Sequence, residues 1–161
     1  MNVGATLAQV KKGLETPSLV KGRLFPIVPC ENLLLLDDSY NANVGSMKSA
    51  ISVLQKYSAF RVFVVGDMAE LGDNTPLCHQ DVGEFAQAAK LDLVISFGRS
   101  SSVISAVNFG RHFTDKTELV AYLTPIIKQQ LTQQKVVVLV KGSRSMKMED
   151  VIDLLKGNFL C

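Results

Sequence analysis

Four aliphatic runs in this chain each end in a burst of glycine, hydroxyl, amide or charged residues: LLLLDDSYNAN, VFVVGDMAELG, LVISFGRSS and VVVLVKGSRSM. Uninterrupted Val, Leu and Ile runs mark strands buried on both faces, the kind found in parallel sheets covered by helices. Parallel strands bring all their carboxyl ends to one rim, and ligands of open α/β sheets sit at that rim. The expected fold is therefore α/β: a doubly wound, mostly parallel sheet with helices on both faces. The segments between the runs fit. Helices are expected over 46–57, 76–90, 100–110, 116–131 and 146–157, alternating with strands at 61–66, 91–98 and 135–142 and a very short one at 112–113. Pro125 is expected to kink or split its helix. A serine cap and Gly110 should bound the helix at 100–110.

The opening part lacks this rhythm. Leu7, Val10 and Leu14 at helical spacing predict a helix over 5–15 with Thr6 as its cap, followed by a turn around Pro17. RLFPIVP and NLLLLDD then predict two short strands. Pro26 and Pro29 cannot donate to a ladder, so the first strand belongs at an edge or is irregular. Residues 1–36 are expected to be a remnant of a preceding domain and 37–161 the α/β domain itself. An edge strand there also leaves a route to self-association between chains.

With 161 residues, seventeen basic against fifteen acidic, the net charge is only +2. No basic stripe points to nucleic acid. Cys30, Cys78 and Cys161 are scattered without a CxxC pair, which suits a reducing, cytoplasmic setting better than a disulfide framework. No apolar run is long enough to span a bilayer.

Chemistry is expected where the strands end. Asp37 and Asp38 alternate across a strand and cannot both line one site, and Asp38, the later, is favoured. Asn41 and Asn43 bind either a ligand or their own turn. In KGSRSM, Lys141, Ser143 and Arg144 suit a phosphate or carboxylate at a helix N-terminus, or form an ordinary strand-to-helix turn. Asp67, Glu70 and Arg99 complete the expected cleft, with His79 turned toward it and His112 packed away. His79 beside Cys78 has no second ligand pair, so no metal site is expected. Neither GxxxxGK[ST] nor GxGxxG occurs, so the usual phosphate cradles are missing.

Taken together, DDSYNANVGSM, VVGDMAELG, VKGSRSMKME and GRLFPI resemble the ATP-dependent Mur ligases of peptidoglycan synthesis. The resemblance runs through the whole chain. It implies a Rossmann-like carboxyl-terminal domain preceded by the end of a central ATPase domain. The implied activity of the complete enzyme is ATP-driven amide formation: addition of D-Ala-D-Ala to UDP-N-acetylmuramoyl-tripeptide, with Mg²⁺, by a cytoplasmic monomer. The chain alone would be inactive, since the P-loop has no counterpart in it. By the same resemblance Arg23, Asp38, Asn41 and Asn43 would lie beside ATP, which the central domain would chiefly hold together with Mg²⁺. Asp67, Glu70, Lys141, Ser143 and Arg144 would face the substrate, with Lys141 and Arg144 orienting it and stabilising charge. Val44 departs from the proline more usual after YNAN. The alternative reading is a non-catalytic nucleotide- or dipeptide-binding module.

Overall fold

The computed structural model describes residues 4, 6–14 and 19–159. Six strands form one sheet in the order β1-β2-β6-β3-β4-β5: β1 Phe25–Cys30, β2 Leu33–Asp38, β3 Phe60–Gly66, β4 Leu93–Phe97, β5 Arg111–Phe113 and β6 Val136–Lys141. The pairs β2–β6, β6–β3, β3–β4 and β4–β5 are parallel, and only β1–β2 is antiparallel. As Pro26 and Pro29 require, β1 lies at the edge, and its register shifts between Ile27 and Cys30. β2 runs through position 36, so the boundary expected between 36 and 37 falls inside a strand shared with the main sheet.

The helices are α1 Leu7–Leu14, α2 Val44–Leu54, α3 Thr75–Ala88, α4 Ser102–Val107, α5 Lys116–Leu131 and α6 Glu149–Phe159. Strand alternation divides α2 to α6 between two faces of the sheet. Leu33, Leu35, Val136, Val138 and Val140 pack with α5 and α6. Leu36, Val137 and Leu139 pack with α2, α3 and α4. The central strand β6 is buried at every position, which explains the run of valine and leucine that precedes its terminal Lys141.

Local chemistry moves several boundaries. Asn43 accepts from the Ser46 N–H while Ser46 Oγ accepts from the Asn43 N–H, a reciprocal capping box that starts α2 at Val44, not at 46. α4 is shorter than expected. Ser101 stands at its N-cap position, but its hydroxyl donates to the Phe97 carbonyl. The left-handed residue after α4 is Phe109 (φ 54°), not Gly110. Gly110 is needed for another reason: a Cβ there would sit 1.8 Å from the Val94 carbonyl oxygen. α5 passes through Pro125 as one helix and is not split. The chain after β6 first makes a 3-10 turn, Arg144–Met146, then reverses at left-handed Lys147 (φ 47°), so α6 begins only at Glu149.

Thr6 does cap α1, accepting from the Gln9 N–H at 3.3 Å. Leu7 and Val10 on this helix are exposed. The turn expected around Pro17 lies outside the described residues. Among the described residues no helix is long and apolar enough to cross a membrane.

Candidate functional site

The carboxyl rim is organised by one cross-strand pair. Asp38 ends β2 and Lys141 ends β6, and the two are partners in the parallel register. By alternation both belong to the α2 face, with Leu36 and Leu139. Lys141 Nζ donates to Asp38 Oδ2 at 2.6 Å and to the Asn41 carbonyl at 2.9 Å. Its side chain is only 4% exposed and that of Asp38 13%. A buried ammonium is tolerable only when its donors are met in this way. Asp38 Oδ1 accepts the Leu24 N–H at 3.1 Å, which ties the segment leading into β1 to the same carboxylate.

Beside this pair opens a cleft of about 450 Å³. Its walls include Arg23, Asp38, Tyr40, Asn41, Asn43 and Lys141, with α2 closing one side through Ser46 and Ser49. The Arg23 guanidinium lies 4.3 Å from the centre of the Tyr40 ring, a cation–π contact at an exposed site. Asn41 Oδ1 accepts the Ala42 N–H, and Asn43 Oδ1 is committed to the α2 cap. Both asparagine oxygens thus serve their own loop while their residues line the cleft.

Asp37 faces the other way. It is buried, with Oδ1 accepting from both the Ser39 N–H and hydroxyl. A smaller groove of about 230 Å³ lies on that side, lined by Lys21, Asp37, Tyr40, Arg144 and Glu149. Arg144 pairs with Glu149 there. Burial on its own would raise the Glu149 carboxyl, but the hydrogen bond from Arg144, its own backbone N–H and the Arg144 charge together hold the group below its usual range. The same hydrogen bond raises the Arg144 guanidinium.

Asp67 and Ser143 have structural partners. The Asp67 carboxylate accepts the backbone N–H groups of Arg99, Ser100 and Ser101 at 2.8, 3.1 and 2.9 Å. Burial alone would raise this acid, but hydrogen bonding, led by the Arg99 amide, holds it below the ordinary value. Ser143 is buried, accepting the Ala69 N–H on its hydroxyl at 2.6 Å and donating its own N–H to the Asp67 carbonyl at 3.0 Å. The loops after β3 and β6 are therefore laced together, and the Ser143 N–H expected to be free for an anion is taken. Glycine is required where they touch: a Cβ on Gly142 would lie 3.1 Å from Gly66 Cα.

The residues expected to form one cleft are in this way distributed. Arg23, Asp38, Asn41, Asn43 and Lys141 share the main cleft; Arg144 lines the neighbouring groove. Arg99 lies in a separate apolar depression with Leu77 and Val103. Glu70 is exposed at a left-handed turn (φ 62°). His79 does not face the cleft. It is fully buried, with Nε2 accepting from the Met68 N–H at 3.0 Å and Nδ1 donating to the Thr75 carbonyl at 2.7 Å. It is a strut under the loop after β3. His112 Nδ1 packs at 2.8 Å from the Ser96 hydroxyl. Tyr40 and Leu24 were not legible as site residues, although the tyrosine stands inside the DDSYNAN run itself.

The comparisons with known proteins agree with this architecture. A family model described as "Mur ligase, glutamate ligase domain" matches residues 22–144. The UDP-N-acetylmuramoyl-tripeptide–D-alanyl-D-alanine ligase of Haemophilus influenzae is 60% identical over 100% of this chain. The enzyme of the same name from Escherichia coli is 53% identical, also over 100% of the chain. The chain spans 35% of the length of each of these relatives. A crystal structure of MurF from Acinetobacter baumannii superposes with a TM-score of 0.87 at 33% identity, covering 96% of this chain and 34% of that one. MurF ligase from Thermotoga maritima in complex with ADP shares the fold at a TM-score of 0.80 and 24% identity, over 98% of this chain and 35% of that one. The chain belongs to the Mur ligase family, as a carboxyl-terminal Mur ligase domain.

Proposed function

We propose that this domain serves an ATP-dependent ligase that adds D-Ala-D-Ala to UDP-N-acetylmuramoyl-tripeptide in the cytoplasm. In that reaction the γ-phosphoryl group of ATP passes to the tripeptide carboxylate, releasing ADP. The dipeptide amine then attacks the acyl carbon, inorganic phosphate leaves, and the nitrogen loses a proton. The domain's share is orientation and closure against water, not phosphoryl chemistry. We further propose that the residues before β2 are the end of a preceding central domain, and that the chain alone is catalytically silent.

The observation that most supports this reading is the cleft at the carboxyl rim, where the connector bearing Arg23 meets the loop after β2. Arg23 and the polar edge of Asn41 fit one wall of a nucleotide site: the guanidinium is exposed, and the Tyr40 ring beneath it gives a flat apolar surface. Mg²⁺ finds no ready set of ligands among the described residues. Among the described residues no three His, Cys, Asp or Glu side chains cluster to hold a metal, and the Asp38 carboxylate is already shared between Lys141 and Leu24. Its site is assigned to the rest of the enzyme, as is the P-loop that this sequence lacks. Lys141, Ser143, Arg144, Asp67 and Glu70 are proposed to shape the substrate side of the rim, most of them through the loops they hold.

ADP release from ATP, Mg²⁺, UDP-linked tripeptide and D-Ala-D-Ala tests the reading. It should be absent with the chain alone and appear when the amino-terminal portion of such a ligase is added. Turnover by the chain alone would overturn the assignment of phosphoryl chemistry to the other domains. If the mixture is silent and the chain also fails to bind ADP or D-Ala-D-Ala, the cleft is not a substrate site.

A further inference from the structure

We propose that Lys141 and Asp38 form a clamp that fixes the connector Gly22–Leu24 and thereby sets where Arg23 presents its guanidinium. Lys141 would then be a positioning residue acting through Asp38, not a group that touches substrate. The connector is unusual in backbone geometry. Gly22 (φ 80°) and Leu24 (φ 51°) both occupy the left-handed region, which a leucine enters only at a cost. Such a conformation persists when its surroundings over-determine it.

Three contacts do so. The Leu24 N–H is held by Asp38 Oδ1, the Tyr40 N–H donates to the Gly22 carbonyl at 3.0 Å, and the Arg23 guanidinium lies over the Tyr40 ring. Lys141 underlies all three. One ammonium holds the other oxygen of Asp38 and the backbone carbonyl of Asn41, fixing both ends of the loop that carries Tyr40. Its own burial, with a side chain 4% exposed, leaves it poorly placed to meet a ligand directly. The consequence for nucleotide handling rests on the ligase reading; the clamp itself does not.

Amide hydrogen exchange in the 161-residue chain tests the clamp without any substrate. Lys141→Met should speed exchange at Leu24 and Tyr40 about tenfold to a hundredfold, the range that loss of a charge-assisted hydrogen bond supports. Protection of Val138 in the centre of β6 should hold. Asp38→Asn keeps an acceptor for Leu24 but loses the charge that Lys141 meets, so the same amides should respond by less. It decides alone if Lys141→Met does not fold. Unchanged exchange at Leu24 in a folded variant overturns the clamp.

A second readout separates positioning from contact. In the mixed-portion assay Lys141→Met should raise the KM for ATP more than it lowers kcat. That effect should disappear in an Arg23→Ala background. An undiminished effect there would mean that Lys141 meets substrate itself and would overturn the route through Arg23. Failure of the mixture to turn over bears on the ligase reading and leaves the exchange result standing.

Discussion

Asp67 is the residue whose removal should be most informative about how the rim is held. Its carboxylate stands at the end of β3 and accepts three successive backbone N–H groups of the loop after β4. Replacing it with alanine orphans all three. The Arg99 amide is exposed, so water can replace the lost acceptor there; those of Ser100 and Ser101 are part-buried and cannot be met as well. An unsatisfied buried donor costs about 1–3 kcal/mol, which puts Asp67→Ala at about 3 kcal/mol for two such groups. For a domain of this size that is a fall in Tm of about 6–12 °C.

Denaturant melts followed by circular dichroism, run as a pH series, check both the magnitude and its origin. The folded-state pKa of Asp67 lies below its unfolded value, so its contribution is fully present above the unfolded pKa and is lost as pH falls through the folded one. The gap between the parent chain and Asp67→Ala should therefore be complete above about pH 4 and close on further acidification. A loss of under about 1 kcal/mol would show that the loop finds other acceptors. A gap that widens as the pH falls would refute the assignment of a depressed carboxyl.

Other perturbations follow from single contacts. Asn43→Ala removes one half of the α2 capping box and should cost about 1 kcal/mol in thermal or chemical melts, whereas Asn43→Asp should retain most of the stability. Gly110→Ala would place a methyl group 1.8 Å from the Val94 carbonyl oxygen, and is expected to cost about 3 kcal/mol or more or to prevent folding, read as loss of the melting transition. Gly157→Ala is the opposite case: it lies within α6 with open space around its Cβ position and should raise stability by about 0.5–1 kcal/mol in the same assay.

Composition and period made the sheet legible because burial on both faces permits few alternatives to Val, Leu and Ile in β3 and β6. The prolines placed β1 at an edge for an equally local reason. Helix starts were less legible because side-chain hydrogen bonds set them. Asn43 brought α2 forward by two residues, and the left-handed Lys147 delayed α6. Which polar groups meet each other was hardest to read, because contacts such as Asp67 with the loop after β4 join segments more than thirty residues apart.

Alternation carried more of the site than the motifs did. It separates Asp37 from Asp38 and gives each its own groove, as expected of adjacent strand residues. Applied to β6, the same rule puts Lys141 on the face of Val137 and Leu139. A cation at a strand end looks like a ligand contact when only its charge is considered. Its parity with two core residues, in register with an acid on the neighbouring strand, instead points to a partner within the sheet. The desolvation of that ammonium has to be offset by close partners, and it has them in Asp38 and the Asn41 carbonyl. On the proposed ligase reading, specificity at this rim would be a property of the loops that such buried charges hold in place, with the exposed Arg23 and Tyr40 as the groups that a ligand would meet first.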